Sequence, residues 1–171
     1  MKLSAHFSPD RKYRYLLERQ WSALPSLVWI MLNPSTGTES QDDPTIRRCM
    51  GFSINAGYGR CRIFNLFALC STAPCNLLST KNSVGAPEND NFLRILAIEK
   101  PKIVCAWGCM YKKLLWRPLE VLKILPDTLY YLKPTKTHGE PHHPLYLSSK
   151  LRPVPMDRQK MIEVYEKRIG A

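Results

Sequence analysis

Apolar residues in this chain fall into short continuous runs separated by stretches of helical spacing, and each run stops abruptly. Leu27-Val28-Trp29-Ile30-Met31-Leu32 is the clearest, closed by Asn33-Pro34-Ser35. A run of this length without polar alternation is the pattern of a strand buried on both faces. Arg62 to Phe67, Pro101 to Gly108 and Thr128 to Leu132 repeat it. Tyr13 to Trp21 alternates more and carries aromatics, which predicts an edge strand over about 11–22.

Helical stretches lie between the runs. Asp43-Pro44-Thr45 combines an Asp cap with proline in the first turn, predicting a helix with Ile46, Met50 and Ile54 inward that ends at Gly57 or Gly59. Further helices are predicted from about Pro87 to Ile98, from Met110 to Leu125 as one or two segments, and as a closing helix over about 156–169. The alternation predicts a single α/β domain over 1–171, a three-layer α/β/α sandwich with a mostly parallel central sheet.

Composition adds three constraints. The chain has 171 residues, one ordinary domain, with no internal repeat, no signal-peptide pattern and no run long enough to span a membrane. A cytoplasmic monomer is the expectation. The six cysteines then read as free thiols, and neither Cys70/Cys75 nor Cys105/Cys109 has the usual spacing of a metal-ligand pair, so no metal and no cofactor is expected. Net charge is +11, and the last 71 residues carry 13 basic side chains against 6 acidic. One positive face follows, and a nucleic acid, DNA foremost, is the natural partner for it. Arg47, Lys150 and Arg152 are its candidate phosphate contacts.

In an open α/β sheet ligands bind beyond the carboxyl ends of the strands. Here those ends carry Asn33-Pro34-Ser35-Thr36, then Asn65, Trp107-Gly108, and a loop with His142-His143-Pro144. Amides can read the edge of a nucleobase or orient a water, and an imidazole can donate to an oxygen that gains charge. Each has a structural alternative. Asn before Pro forms turns, Asp43 caps a helix, and paired histidines occur in surface loops. Asn65, inside an apolar run, is harder to explain structurally, because a buried amide must be paired. Phe52, Phe67, Trp107 and Tyr146 are aromatics able to stack on a base or to fill the core.

The strings Met31-Leu32-Asn33-Pro34-Ser35-Thr36, Asp42-Asp43-Pro44-Thr45-Ile46-Arg47-Arg48-Cys49, Asn65-Leu66-Phe67, Ala106-Trp107-Gly108 and His143-Pro144-Leu145-Tyr146-Leu147 resemble the bacterial and phage family known as domain of unknown function 1643, from about Tyr13 to Leu147. In the same order they are similar to the uracil/thymine-DNA glycosylase superfamily, chiefly its mismatch-specific branch. That second resemblance implies a uracil-DNA-glycosylase-like fold, with Asn33 orienting the attacking water, Asn65 reading the pyrimidine edge, and His143 assisting departure of the base. Leu145 stands where that superfamily has a serine, and Ser35 where the mismatch-specific branch has glycine.

The expected function is therefore a nucleobase N-glycosylase-like protein that flips a modified or mismatched base out of DNA. Asn33 and His143 are its catalytic candidates, with Asn65, Pro34, Ser35, Phe52, Asp43 and Tyr146 lining the substrate site. The alternatives are a non-catalytic module of the same fold that binds nucleic acid or a modified base, and an enzyme acting on free nucleotides or nucleosides.

Overall fold

The computed structural model describes residues 1–170. Seven strands, β1 (Lys2–Phe7), β2 (Arg14–Gln20), β3 (Ser26–Met31), β4 (Arg60–Asn65), β5 (Lys102–Cys105), β6 (Leu129–Tyr131) and β7 (Val154–Met156), form one sheet in the order β1-β2-β4-β3-β5-β6-β7. The four inner strands β4, β3, β5 and β6 are parallel. β1, β2 and β7 pair antiparallel at the two flanks. The sheet is therefore mixed, not mostly parallel: only strands separated by helical crossovers could pair in parallel.

Five helices accompany it: α1 (Pro44–Asn55), α2 (Asn76–Ser79), α3 (Glu88–Glu99), α4 (Trp116–Ile124) and α5 (Arg158–Gly170). Alternating side chains of the inner strands feed two buried clusters. Leu27, Trp29, Met31 and Ile63 join Ile46, Cys49 and Phe52 of α1. Val28, Ile30, Phe64 and Ile103 join Leu93 and Leu96 of α3, Val121 and Leu122 of α4, and Met161, Ile162 and Tyr165 of α5. The apolar runs are continuous because both faces of these strands are covered. No helix among the described residues is long and apolar enough to cross a membrane.

Three expectations need correction. The strand near Tyr13 is not an edge, because β1 pairs outside it; no residue of β1 is fully buried, and its alternating polar and apolar residues were not read as a strand. Ile54 is 52% exposed and Met50 only partly covered; the inner stripe of α1 is Ile46, Cys49, Phe52 and Ser53, and the Ser53 hydroxyl accepts from Trp29 Nε1 at 3.0 Å. The single turn α2 and the three-residue β7 add elements too short to leave a periodic signal. The Met110–Leu125 region, expected as one or two segments, is two: a 3₁₀ turn, Lys112–Leu114, and then α4.

Candidate functional site

A cavity of about 200 Å³ opens at the carboxyl ends of β3 and β4, beside the first turn of α1. Asn33, Ser35, Asp43, Asn65 and His143 all line it, together with Arg14, Thr45, Ser71, Thr72 and Trp107. The three residues expected to carry the chemistry, Asn33, Asn65 and His143, thus share one pocket.

The loop from Asn33 to Asp43 is shaped from β2. Arg19, fully buried, pairs with Asp42 at 2.7 Å and donates to the Thr38 carbonyl. Arg14 donates from Nη1 to the Gly37 carbonyl at 2.6 Å. A Cβ at Gly37 would lie 2.1 Å from Ile46 Cδ1, so any larger residue requires the end of the Ile46 side chain to shift. The Asp43 carboxylate Oδ1 accepts from Ile46 N at 2.8 Å, so this residue caps α1 and lines the pocket at once.

Asn33 is held firmly. Its Nδ2 donates to the carbonyls of Pro34, Leu69 and Ser71 at 2.9, 3.4 and 2.8 Å. Three carbonyls around one nitrogen fix the amide orientation and leave Oδ1, an acceptor, as the free end of the side chain. Pro34 itself is buried; its carbonyl also receives Ser71 N, and it braces the turn outside the pocket lining.

Asn65 differs. It is 1% exposed, and neither Nδ2 nor Oδ1 has a hydrogen-bond partner. A buried amide with an unpaired donor and acceptor on a pocket wall costs free energy unless a ligand satisfies it.

His143 arrives from the loop after β6. Gly108, at φ +78, donates its N–H to the Pro141 carbonyl at 2.8 Å, and a Cβ at 108 would lie 3.4 Å from His143 Cβ. Burial, then the neighbouring His142, lower the His143 pKa, opposed by Asp43. Its Nδ1 accepts from Leu145 N at 3.3 Å, so the neutral ring carries its proton on Nε2, as a donor.

The aromatic wall is Trp107, 1% exposed, whose Nε1 donates to the Tyr165 hydroxyl at 2.7 Å. Phe52, expected to stack on a base, is instead 2% exposed in the core against Trp29, because it sits on the inner face of α1. Tyr146 is 94% exposed at φ +69, outside the pocket. Arg47, Lys150 and Arg152 are exposed and also lie outside it. The loop carrying Lys150 and Arg152 is tied to α1 through Arg48 to the Leu147 carbonyl and Asn55 to the Ser149 carbonyl, so this charge lies against the same helix whose first turn lines the pocket.

Sequence reasoning missed Arg14. The signal was an arginine opening the apolar run Tyr15-Leu16-Leu17, a place where a solvent-facing strand end looks the same. No group of three or more His, Cys, Asp or Glu side chains gathers among the described residues. Cys49, Cys61 and Cys105 are buried, and burial pushes the Cys61 thiol up to about 12; Cys70 is half-buried, Cys75 and Cys109 exposed.

A family model described as a protein of unknown function, DUF1643, matches residues 14–145. No curated protein and no solved structure matches the chain.

Proposed function

The chain belongs to the DUF1643 family, whose description carries no activity, and from the pocket itself we propose a nucleobase N-glycosylase-like protein acting on DNA. One observation carries this reading: Asn65, buried and unpaired at both amide atoms, lines the same cavity as Asn33 and His143. A donor and an acceptor side by side match the amide-like edge of a base. Asn89 supports this from behind, donating to the main-chain carbonyls of Asn65 and Leu66 at 3.2 Å each.

The base enters flipped from the stack, against Trp107. Asn33 Oδ1 accepts a hydrogen from water and holds its oxygen toward the sugar C1′. The amide is not a base, so the water adds as the C1′–N bond weakens and the bond's electron pair leaves with the base; the proton that the water then sheds is taken up by the departed base anion. His143 Nε2–H donates to the oxygen of the base that gains this charge, which is the role for a neutral imidazole. The fold fits the same reading. Four parallel strands with α1 on one side, α3 to α5 on the other and the pocket at the carboxyl ends are what a three-layer, uracil-DNA-glycosylase-like fold would require, and the proposal extends to that fold.

The second reading is a binding module for a modified base, favoured by Leu145 at the serine position and by the anchoring of Asn33 on three carbonyls. Incubating the protein with duplex and single-stranded DNA carrying a panel of altered bases separates the two. Free base and an abasic product support the glycosylase. Binding selective for one base and lost in Asn65→Leu, without release, supports the module. Neither outcome with any base ends both readings.

A further inference from the structure

Four arginines of the chain are buried below a tenth of their surface. Arg19 pairs with Asp42 at 2.7 Å, Arg117 with Asp90 at 2.6 Å, and Arg62 with Glu18 at 3.3 Å and with Glu99. Arg14 is 3% exposed, and among the described residues no carboxylate comes within ion-pair distance of it. Its Nη1 donates to the Gly37 carbonyl, its Nε has no partner, and it lines the pocket.

A buried guanidinium without a counter-ion is costly, since desolvation is not returned by a single carbonyl. Burial disfavours the charged form of Arg14, opposed by Cys70 and then by Asp43; one Asp43 oxygen caps α1, and the carboxylate makes no ion pair with Arg14. Five N–H donors in a planar fork suit two oxygens of an oxyanion. The first turn of α1, a twelve-residue helix lining the same cavity, adds a field of the same sign.

We infer that Arg14 forms an oxyanion subsite in this pocket, so that the ligand presents a negatively charged oxygen as well as the base edge read by Asn65. The inference rests on the ligand-binding reading of the pocket but not on base release. Two sources of that oxygen share the chemistry: a phosphate of the nucleotide, and an exocyclic carbonyl oxygen of a base that leaves as an anion.

The probes are inorganic phosphate, a deoxynucleoside against its 5′-monophosphate, and free uracil before and after its ring ionises, each titrated against wild type, Arg14→Gln and Asn65→Leu. The expected result is that wild type holds an anionic probe about tenfold or more tighter than Arg14→Gln, while Asn65→Leu keeps this anion preference. Tighter monophosphate than nucleoside identifies the phosphate; tighter ionised than neutral uracil, with no gain from phosphate, identifies the base anion. Anion binding that depends on Arg14, with no base selectivity and no effect of Asn65→Leu, supports the subsite and removes the base-reading function. Should Arg14→Gln not fold, the Arg14 Nε–H resonance of the wild type is followed through the phosphate and uracil titrations, and it must shift on saturation by one of them. No Arg14-dependent response to any anionic probe overturns the inference and makes Arg14 only a brace for Gly37.

Discussion

Two asparagine–arginine pairs flank the end of β4, alike in residue type and burial and opposite in how their hydrogen bonds are used. On the α3/α4 side, Asn89 donates to the carbonyls of Asn65 and Leu66, and Arg117 donates to the Leu66 carbonyl at 2.7 Å and pairs with Asp90. On the α1 side, the Asn65 amide has no partner and Arg14 has one carbonyl. The first pair closes the strand end and ties α4 to α3. The second pair faces a cavity. Residue type and burial are the same in both, and Asn89 Oδ1 is also buried without a partner, so what separates scaffold from site is the donors: those of Asn89 and Arg117 are used, while Asn65 Nδ2 and Arg14 Nε are not.

The largest effect expected from this contrast is on stability. Arg117→Met strips the Leu66 carbonyl of a donor and leaves Asp90 without its cation, and is expected to cost about 3 kcal/mol. Asn65→Leu removes two unsatisfied polar atoms in favour of an apolar group of similar shape, and is expected to leave stability unchanged or raise it by up to about 1 kcal/mol. Urea unfolding of both variants measures the difference. Equal destabilisation would mean that Asn65 belongs to the scaffold after all.

The same Asn65→Leu protein is expected to show the reverse in function. If the amide reads a base, its loss leaves the base edge unpaired in a desolvated site, lowering single-turnover base release by about 10²-fold or more. A variant that is stable, folded and fully active would break the comparison from the other side.

The sequence showed the scaffold better than the site, and the reason is physical. The inner strands of the sheet are legible because strands covered on both faces carry continuous apolar runs, as Leu27 to Met31 does. β7 is three residues, too short for a periodic signal, whereas β1 alternates polar and apolar from Lys2 to Phe7, a strand pattern that sequence reasoning passed over. At the site, Asn33 and Asn65 stood out because they ended or interrupted apolar runs, and His143 because it lay in the loop that follows a predicted strand. Arg14 did not, since its burial is imposed by a distant segment, the Gly37 to Ile46 loop and helix start, that folds over it. Phe52 was misplaced for a related reason: the spacing Ile46, Met50, Ile54 and the spacing Ile46, Cys49, Phe52 are both helical, and only packing against Trp29 chooses between them.

A pH series sharpens the comparison at His143. Burial and His142 hold this ring below its ordinary value of about 6.5, so the unfolded chain takes up the proton first as pH falls. His143 therefore adds nothing above that value, and stability is lost as pH drops from it toward the lowered native value. Protonation also places a second N–H on Nδ1, against the Leu145 N–H that it now accepts. Base release is expected to hold level through neutral pH and to fall about tenfold per unit below the native value, with His143→Gln flattening that acid limb. An acid limb retained in His143→Gln would assign it to another group.

The smallest expected effect separates buried charge from exposed charge. Lys150 and Arg152 are exposed, and Arg152 Nη1 folds back within 3.2 to 3.5 Å of the carbonyls of its own loop, Ser149, Lys150 and Leu151. Interactions of this kind are weak in water, so Arg152 can release them to a phosphate at little cost. Charge so placed carries no base information and acts through displaced counterions. Lys150→Ala with Arg152→Ala is expected to weaken DNA binding alike for every sequence and to reduce the salt dependence by about 1 in slope for each phosphate no longer neutralised. Selectivity among bases is expected to stay as in wild type, because Asn65 and Arg14 lie in the pocket and these residues do not. A double variant that binds with unchanged slope moves the phosphate path away from this loop; one that changes base preference joins the loop to the pocket and erases the division between them.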